Sequence, residues 1–438
     1  MIKVKNEPQR AFLFGSDRPG DRIWGEGPLE ELGRLVQTAG AEIAGLETVR
    51  SRKPNPATYI GRGKAEAIGG MIAELDAELA VFDDELSPGQ ARNLEDIFGC
   101  QVLDRSELIL DIFAQHARTV QARLQVELAQ LEYLLPRLKR MWVHLSRIRG
   151  GIGLRGPGET QIETDRRLIQ RRIALVKSKL EKTARQDRLR SKKREGELRF
   201  GLAGYTNAGK SSILAGLTGS EILVRDQLFS TLDTTTRKLL LPGERQVLVT
   251  DTVGFINRLP HHLVESFKAT LDELCRADHL LIVVDVSNPH FHERIRVVEQ
   301  ALEEIGAGDL ERTFVFNKVD LVQDRQGLFE IADRYPDPVF TSAVGKGPGL
   351  RHLVERLTRT AEQYEIEFTI DLEPGEGRLA ASFHELGHVI ERTSSDRDGS
   401  LHMRVRMRKS LLNRLLQGTP YSEQIFSSSF HHLQRSNR

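Results

Sequence analysis

From residue 11 to about residue 115, short apolar runs at 11–14, 42–49, 79–82 and 100–103 alternate with stretches of helical period at 28–38 and 87–98. This alternation of strand and helix predicts a small α/β unit. Ser87-Pro88 suits the opening of one helix: serine can accept a bond from a free first-turn amide, and proline fits the first helical position. At Thr119 the pattern changes. From there to about Arg194, apolar residues recur at three- and four-residue steps: Val120, Leu124, Leu128, Leu131, Leu135 and Leu138, then after a break Ile169, Ile173, Val176 and Leu180. A two-helix hairpin with one apolar seam is predicted, its first helix kinked at Pro136. The break at 150–158 is a glycine-rich tip, with Arg147, Arg149 and Arg155 around it.

Beyond Glu197, strand-like runs at 198–203, 247–251, 280–286, 313–317 and 339–341 alternate with helices. They predict a mainly parallel, doubly wound sheet. The last segment opens with a strand at 366–372 and is too short for a large independent core. The expected fold class is multidomain α/β: a small α/β domain at 1–118, a helical hairpin at 119–196, a doubly wound, mainly parallel α/β domain at 197–365 and a small α/β domain at 366–438.

Composition adds little except in the hairpin. A chain of 438 residues, 39% hydrophobic and 29% charged, has enough apolar material for several folded domains. Its first ten residues are polar and charged, and no stretch approaches the roughly 18 uninterrupted apolar residues of a membrane span. Neither secretion nor insertion is expected. Cys100 and Cys275 lie far apart without a CxxC partner, which suits a reducing cytoplasm, with partial membrane association left as an alternative. The net charge of +1 conceals an asymmetry: residues 119–195 hold 20 Lys/Arg against 8 Asp/Glu, roughly +12, which leaves roughly −11 elsewhere. Such a concentration of positive charge reads as a footprint for a phosphate backbone; the bland reading is a solvated helical surface.

Gly204-Tyr205-Thr206-Asn207-Ala208-Gly209-Lys210-Ser211 matches GxxxxGK[ST] between a predicted strand and a predicted helix. In that setting backbone amides face the phosphates, Lys210 reaches the β- and γ-phosphates, and the Ser211 hydroxyl ligates Mg2+. Asp251-Thr252-Val253-Gly254 follows an apolar run, so Asp251 can hold the magnesium shell and the Gly254 amide can lie near the γ-phosphate. Upstream, Phe229-Ser230-Thr231-Leu232-Asp233 precedes Thr234, Thr235 and Thr236, and one threonine should complete the metal shell. Thr231 is the expected ligand, and Thr234, Thr235 and Thr236 stay open as alternatives. Asn317-Lys318-Val319-Asp320 follows a further strand, and the Asp320 carboxylate suits guanine's paired N–H donors, with Ser342, Ala343 and Val344 completing the base pocket. GTP and GDP are the expected ligands, and Lys210, Thr231 and Gly254 the groups nearest the reacting phosphate. After the Gly254 position a Ras-type site has a glutamine that orients water; here stands Phe255. Slow intrinsic turnover and stimulation by a partner are expected.

Together the segments 124–131, 150–167 (GGIGLRGPGETQIETDRR), 204–211 and 251–255, with Gly61-Arg62-Gly63-Lys64 and Val102-Leu103-Asp104-Arg105, resemble the HflX family of bacterial GTPases over about residues 10–365. The resemblance implies a monomeric factor that binds the 50S ribosomal subunit. Its hairpin would reach 23S rRNA near the peptidyl transferase centre, and it would split stalled or stress-damaged 70S ribosomes with ribosome-stimulated hydrolysis. A hydrophobic residue at the Phe255 position is a trait of that family. A different reading is an RNA-binding assembly factor that uses GTP only as a conformational ligand.

Other signals point elsewhere. His384-Glu385-Leu386-Gly387-His388 matches the HExxH signature of zinc proteases, which needs one helix to present both histidines. Gly387 and the following Val389-Ile390 instead predict a helix end and a hairpin turning near Asp398-Gly399. Gly61-Arg62-Gly63-Lys64 suggests a second phosphate site, which the family resemblance would make one for ATP, against the plainer reading of glycines required by a turn. Trp24 and Trp142 are isolated; Trp142 suits either base stacking or seam packing.

Overall fold

The computed structural model describes residues 8–16, 29–49, 54–138, 157–192, 196–219, 227–229, 231–258, 260, 268–323, 326–343, 348–395, 399–417 and 419–421. Trp24, Trp142, Arg147, Arg149, Arg155, Ser230, Val344, Asp398 and the tip residues 150–156 lie outside them. Among the described residues no helix is long and apolar enough to cross a membrane.

Strands β1 (Arg10–Ser16), β2 (Glu42–Val49), β3 (Leu79–Phe82) and β4 (Gln101–Asp104) form a parallel sheet in the order β2-β1-β3-β4. Helices α1 (Glu30–Thr38), α2 (Arg62–Glu74), α3 (Pro88–Phe98) and α4 (Arg105–His116) intervene. The central strands are apolar over Ala11–Phe14 and Leu79–Phe82 because both sheet faces are covered: Phe12, Phe14 and Phe82 join Ile68 and Leu94, while Leu13 and Val81 join Leu35 and Ile109. The predicted cap on α3 is present as a full capping box. Ser87 Oγ accepts from the Gln90 amide at 3.3 Å, and Gln90 Oε1 accepts from the Ser87 amide at 2.9 Å.

Gly61 caps α2 with φ −61°, and a Cβ on Gly61 or Gly63 would meet nothing within 4 Å. The backbone therefore requires neither glycine, which corrects the reading that a turn demands them. Lys64 Nζ is tied to Glu47 of β2 at 2.6 Å.

The hairpin consists of α5 (Val120–Leu134) and α6 (Pro157–Lys192), the latter about 54 Å long at 1.5 Å per residue. Pro136 lies in a 3-10 turn, Leu135–Arg137, with Leu138 helical again beyond it, so the α-helical ladder is interrupted at the proline. Pro157 and Gly158 belong to α6 and not to the tip. The expectation of one apolar seam also needs correction. Ala122, Val126, Ala129 and Tyr133 are buried among Ile109, Ile112 and Phe113 of α4, while Val120 is 70% exposed. Helix α5 is thus core on one side and hairpin seam on the other; α6 follows the expected pattern, with Val176 buried and Ile169, Ile173 and Leu180 half-buried.

The largest sheet has the order β10-β9-β8-β5-β7-β6, from β5 (Leu198–Gly204), β6 (Thr235–Leu241), β7 (Arg245–Asp251), β8 (His279–Asp285), β9 (Arg312–Asn317) and β10 (Val339–Phe340). Helices α7 (Lys210–Thr218), α8 (Lys268–Cys275), α9 (Phe291–Glu304), α10 (Gln326–Arg334) and α11 (Pro348–Tyr364) accompany it. The sequence reading missed β6, which pairs antiparallel with β7 and begins inside the threonine cluster, Thr236 Oγ1 lying 2.9 Å from Thr250 Oγ1.

The final unit is an antiparallel sheet β11-β13-β12, from β11 (Glu365–Leu372), β12 (His388–Ser394) and β13 (Leu401–Arg408), with helices α12 (Gly377–Leu386) and α13 (Lys409–Leu416). It has more core of its own than expected: Phe368, Phe383, Met403, Val405 and Leu412 are buried together. Helix α12 stops at Leu386 with Gly387 as C-cap, so His384 is helical and His388 opens a strand. The single helical face that HExxH needs is broken, and no three His, Cys, Asp or Glu side chains gather into a metal-holding group among the described residues.

Candidate functional site

The carboxyl end of β5 delivers the glycine-rich loop, and two glycines there are dictated by space. A Cβ on Gly204 would stand 2.3 Å from the Val283 carbonyl oxygen. Gly209, at φ +92°, would put one 2.2 Å from Asn317 Nδ2. Helix α7 then starts at Lys210, so its free amides point back at the loop. Asn207 sits exposed at φ +60° while Ala208 is buried beneath it.

Ser211 Oγ donates to Asp251 Oδ2 at 2.6 Å and lies 2.6 Å from Thr231 Oγ1. Asp251 is 1% exposed, and its Oδ1 is a buried oxygen without a hydrogen-bond partner. Two hydroxyls and an orphaned carboxylate oxygen form a hard-oxygen corner of the kind Mg2+ takes, so these residues fit the ion. Burial pushes the Asp251 carboxyl above its usual range against the pull of Lys210. Lys210 Nζ donates to the carbonyls of Gly204 and Tyr205, both at 3.1 Å, and burial lowers its pKa to about 8 despite Asp251. A phosphate beside Lys210 and a cation beside Asp251 would each restore the charge that burial disfavours.

Thr252 Oγ1 donates to the Leu202 carbonyl at 2.8 Å and Val253 is buried, which fixes the approach to Gly254. A side chain at Gly254 would meet Thr206 Cα at 2.8 Å and Lys210 Nζ at 3.0 Å. Phe255 is held against the loop: its amide donates to the Gly204 carbonyl at 3.1 Å, and its carbonyl accepts from the Thr206 amide at 2.7 Å. Its ring is buried, 4% exposed, in the core.

At the base end, Asn317 donates from Nδ2 to the Ala208 carbonyl at 2.9 Å and accepts from the Ala343 amide at 3.1 Å. It therefore braces the phosphate loop against the base loop. Lys318, at φ +64°, pairs with Asp285 at 2.7 Å, and the Val319 amide reaches the Thr341 carbonyl at 3.3 Å. Asp320 is exposed and accepts from Ser342 Oγ at 2.5 Å, so its carboxylate faces open space at the end of the site.

Among the described residues of the segment 229–233, Thr231 is the one whose side chain stands at the metal corner. Phe229 packs edge-on against Phe113 of α4 at 4.8 Å, and Leu232 is buried in the same core. Asp233 accepts from the Arg118 and Thr119 amides at 3.0 and 3.2 Å. These side chains are turned toward the N-terminal unit and the hairpin.

Sequence reasoning also missed a layer supplied by the N-terminal unit. Arg105, 4% exposed, pairs with Glu31 at 2.5 Å and Asp83 at 2.6 Å and donates to the Asn257 carbonyl at 2.9 Å. The Tyr205 hydroxyl donates to Glu31 and accepts from the Asn257 amide at 2.8 Å. Burial, then the Glu31 carboxylate, holds that phenol well above its usual pKa, so it stays a donor. A cavity of about 760 Å³ runs from Thr206 and Asn207 past Arg294 to Lys318, with Glu31 and Arg34 of α1 on its other wall.

A phosphate loop on a strand-to-helix turn, a hydroxyl–carboxylate corner and an asparagine-braced NKxD loop define a P-loop GTPase. Residues 26–114 match the family model described as GTP-binding GTPase N-terminal, 116–194 the GTP-binding GTPase Middle Region, and 199–318 the 50S ribosome-binding GTPase. The chain is 42% identical over 385 residues to GTPase HflX of Escherichia coli strain K12, covering 86% of this chain and 89% of that one. It is 47% identical over 326 residues to GTPase HflX of Caldanaerobacter subterraneus subsp. tengcongensis, covering 74% and 75%. The crystal structure of a GTP-binding protein from Sulfolobus solfataricus in complex with GDP aligns with 24% identity and a TM-score of 0.44, over 81% of this chain and 99% of that one. The chain belongs to the HflX family of GTPases and is a GTP-hydrolysing enzyme.

Proposed function

We propose that this GTPase works on the ribosome: it binds the 50S subunit, inserts its basic hairpin against 23S rRNA, and splits stalled or stress-damaged 70S particles. The observation that carries this reading is the match of residues 199–318 to a model described as a 50S ribosome-binding GTPase. It is supported by the hairpin, where Arg166, Arg171, Lys179, Lys182 and Arg185 stand exposed along α6. A row of cations on a long helix suits an RNA backbone, and binding should weaken steeply with salt. The protein acts as a monomer built from units at 1–118, 119–196, 197–365 and 366–438.

In the proposed site, the amides of Tyr205 to Ser211 and the Lys210 ammonium cradle the phosphates, Ser211 and Thr231 ligate Mg2+, and Asp251 holds its shell. The bound ion supplies neutralisation of the phosphate charge. The Gly254 amide approaches the γ-phosphate, and Asp320 with Ser342 and Ala343 selects guanine. With Phe255 buried, no side chain at that position orients water, so hydrolysis is slow until the ribosome supplies what is missing.

Sucrose-gradient sedimentation of 70S ribosomes with the protein and GTP, a non-hydrolysable analogue or GDP tests the reading. Subunits released with GTP or the analogue but not with GDP are expected. Binding to 50S particles without any splitting would assign an assembly role instead, and absence from the 50S fraction would sink the ribosomal reading.

A further inference from the structure

Asp233 stands two residues beyond Thr231, yet its carboxylate is spent entirely on the base of the hairpin. Oδ2 accepts from the Arg118 amide at 3.0 Å and the Thr119 amide at 3.2 Å, and Oδ1 from the Thr119 hydroxyl at 2.5 Å. The direction of the last bond is forced. Thr119 Oγ1 is also the N-cap of α5, accepting from the Ala122 amide at 3.1 Å, so its single proton is left for Asp233. An anionic carboxylate at the positive end of α5, bonded to amides and a hydroxyl, makes charge-assisted contacts stronger than ordinary ones.

The rest of the segment is held from the same direction. The Leu228 amide donates to Thr38 Oγ1 of α1 at 3.3 Å, and Leu228, Phe229 and Leu232 are buried with Leu35 and Phe113. Among the described residues of this segment, Thr231 is the one whose side chain stands at the nucleotide site, 2.6 Å from Ser211 Oγ. Two residues of chain span at most about 7 Å, so Thr231 cannot hold its place if Asp233 moves far with α5.

We infer that Asp233 is a positioning residue for GTP hydrolysis: it fastens the Thr231 segment to the first turn of the hairpin, so that completion of the metal corner depends on where the hairpin stands. The inference rests on the reading of Thr231 as a magnesium ligand. It gives the hairpin a route to the site that needs no contact between hairpin and nucleotide. Helix α5 is packed on α4, so a shift of the two together is carried through the first turn of α5 to the segment that holds Thr231.

The test uses the full chain with Asp233→Ala, Asp233→Asn and Thr119→Val, measuring single-turnover hydrolysis at a range of Mg2+ concentrations, with and without 50S subunits, and GDP affinity in parallel. Asp233→Ala is expected to lower kcat by about tenfold or more, the scale of a misplaced reacting group, and to raise the Mg2+ concentration at half-maximal rate, with GDP affinity within about twofold of wild type. Asp233→Asn, which keeps the amide-accepting oxygen, should recover part of the rate. Combining Asp233→Ala with Thr119→Val should add little, because both remove the same bond. Lowered thermal stability with unchanged kcat and Mg2+ response would reduce Asp233 to a helix cap and overturn the inference. So would a parallel loss of GDP affinity, which signals collapse of the site. The Mg2+ response is read without ribosomes, so a wild-type protein indifferent to 50S subunits would refute the ribosomal reading and leave this inference to its own result.

Discussion

Asp320 and Asn317 lie three positions apart and do different work. Asn317 is buried and bonded on both sides of its amide, so it braces two loops; Asp320 is exposed, with one oxygen accepting from the Ser342 hydroxyl, and is the proposed partner of the base. Asp320→Asn replaces an acceptor pair by one acceptor and one donor, which suits xanthine better than guanine. In a competition assay the variant should lose GTP affinity by roughly 10²-fold or more and gain preference for xanthosine triphosphate; unchanged GTP binding would defeat the assignment. His279 offers a test of stability. Its ring is buried at the start of β8, with Nε2 2.9 Å from Thr313 Oγ1, and burial lowers its pKa despite Glu311. The unfolded chain therefore takes up the proton first. The contribution of this histidine is present above its ordinary 6.5 and is lost as pH falls from there through the lower folded value. Urea midpoints between pH 7.5 and 5.5, on the order of one unit either side of that value, should drop more for wild type than for His279→Gln. Equal slopes would contradict the buried neutral ring. At this scale the P-loop was legible because its contacts are local in the chain. Arg105 and Glu31 were not, since Glu31 meets Tyr205 across 174 positions and no local pattern announces such a pairing.

Among the elements, strands and caps read well and packing faces read poorly. Four-residue apolar runs such as β3 admit one interpretation when turn signals bound them, and Ser87-Pro88 marked its helix start. Ser87→Ala should cost about 1 kcal/mol in chemical denaturation. Helix α5 was misread because residues at helical spacing can serve two neighbours at once, and alanines such as Ala122 and Ala129 carry the tighter contact without a strong apolar signal. Two substitutions separate the accounts. Val126→Ala, at a position 3% exposed, should lose about 1–3 kcal/mol, whereas Val120→Ser, at 70% exposure, should stay within about 0.5 kcal/mol. The reverse ranking would restore the single-seam hairpin. Strand β6 escaped notice because its threonines resemble a switch loop and only Leu239 and Leu241 alternate inward, with Leu240 70% exposed between them.

On the scale of the whole molecule, the nucleotide site is shared. The phosphate loop meets the N-terminal unit through Tyr205 and Glu31, and the segment after Gly254 meets it through Asn257 and Arg105 and through Arg258, 3.7 Å from Asp83. The segment carrying Thr231 is bonded to the hairpin through Asp233. A GTPase whose moving parts are held by neighbouring units, and whose water-orienting position is a buried phenylalanine, is suited to being switched from outside. The proposed outside agent is the ribosome, met by the cations of α6. Single-turnover phosphate release from the purified protein, alone and with 50S or 70S particles, tests this most directly. The account predicts a rate on the order of 10⁻⁴ to 10⁻³ s⁻¹ alone, rising by about tenfold or more when ribosomal particles are added. Fast release by the protein alone, or a slow rate that ribosomal particles leave unchanged, would contradict it.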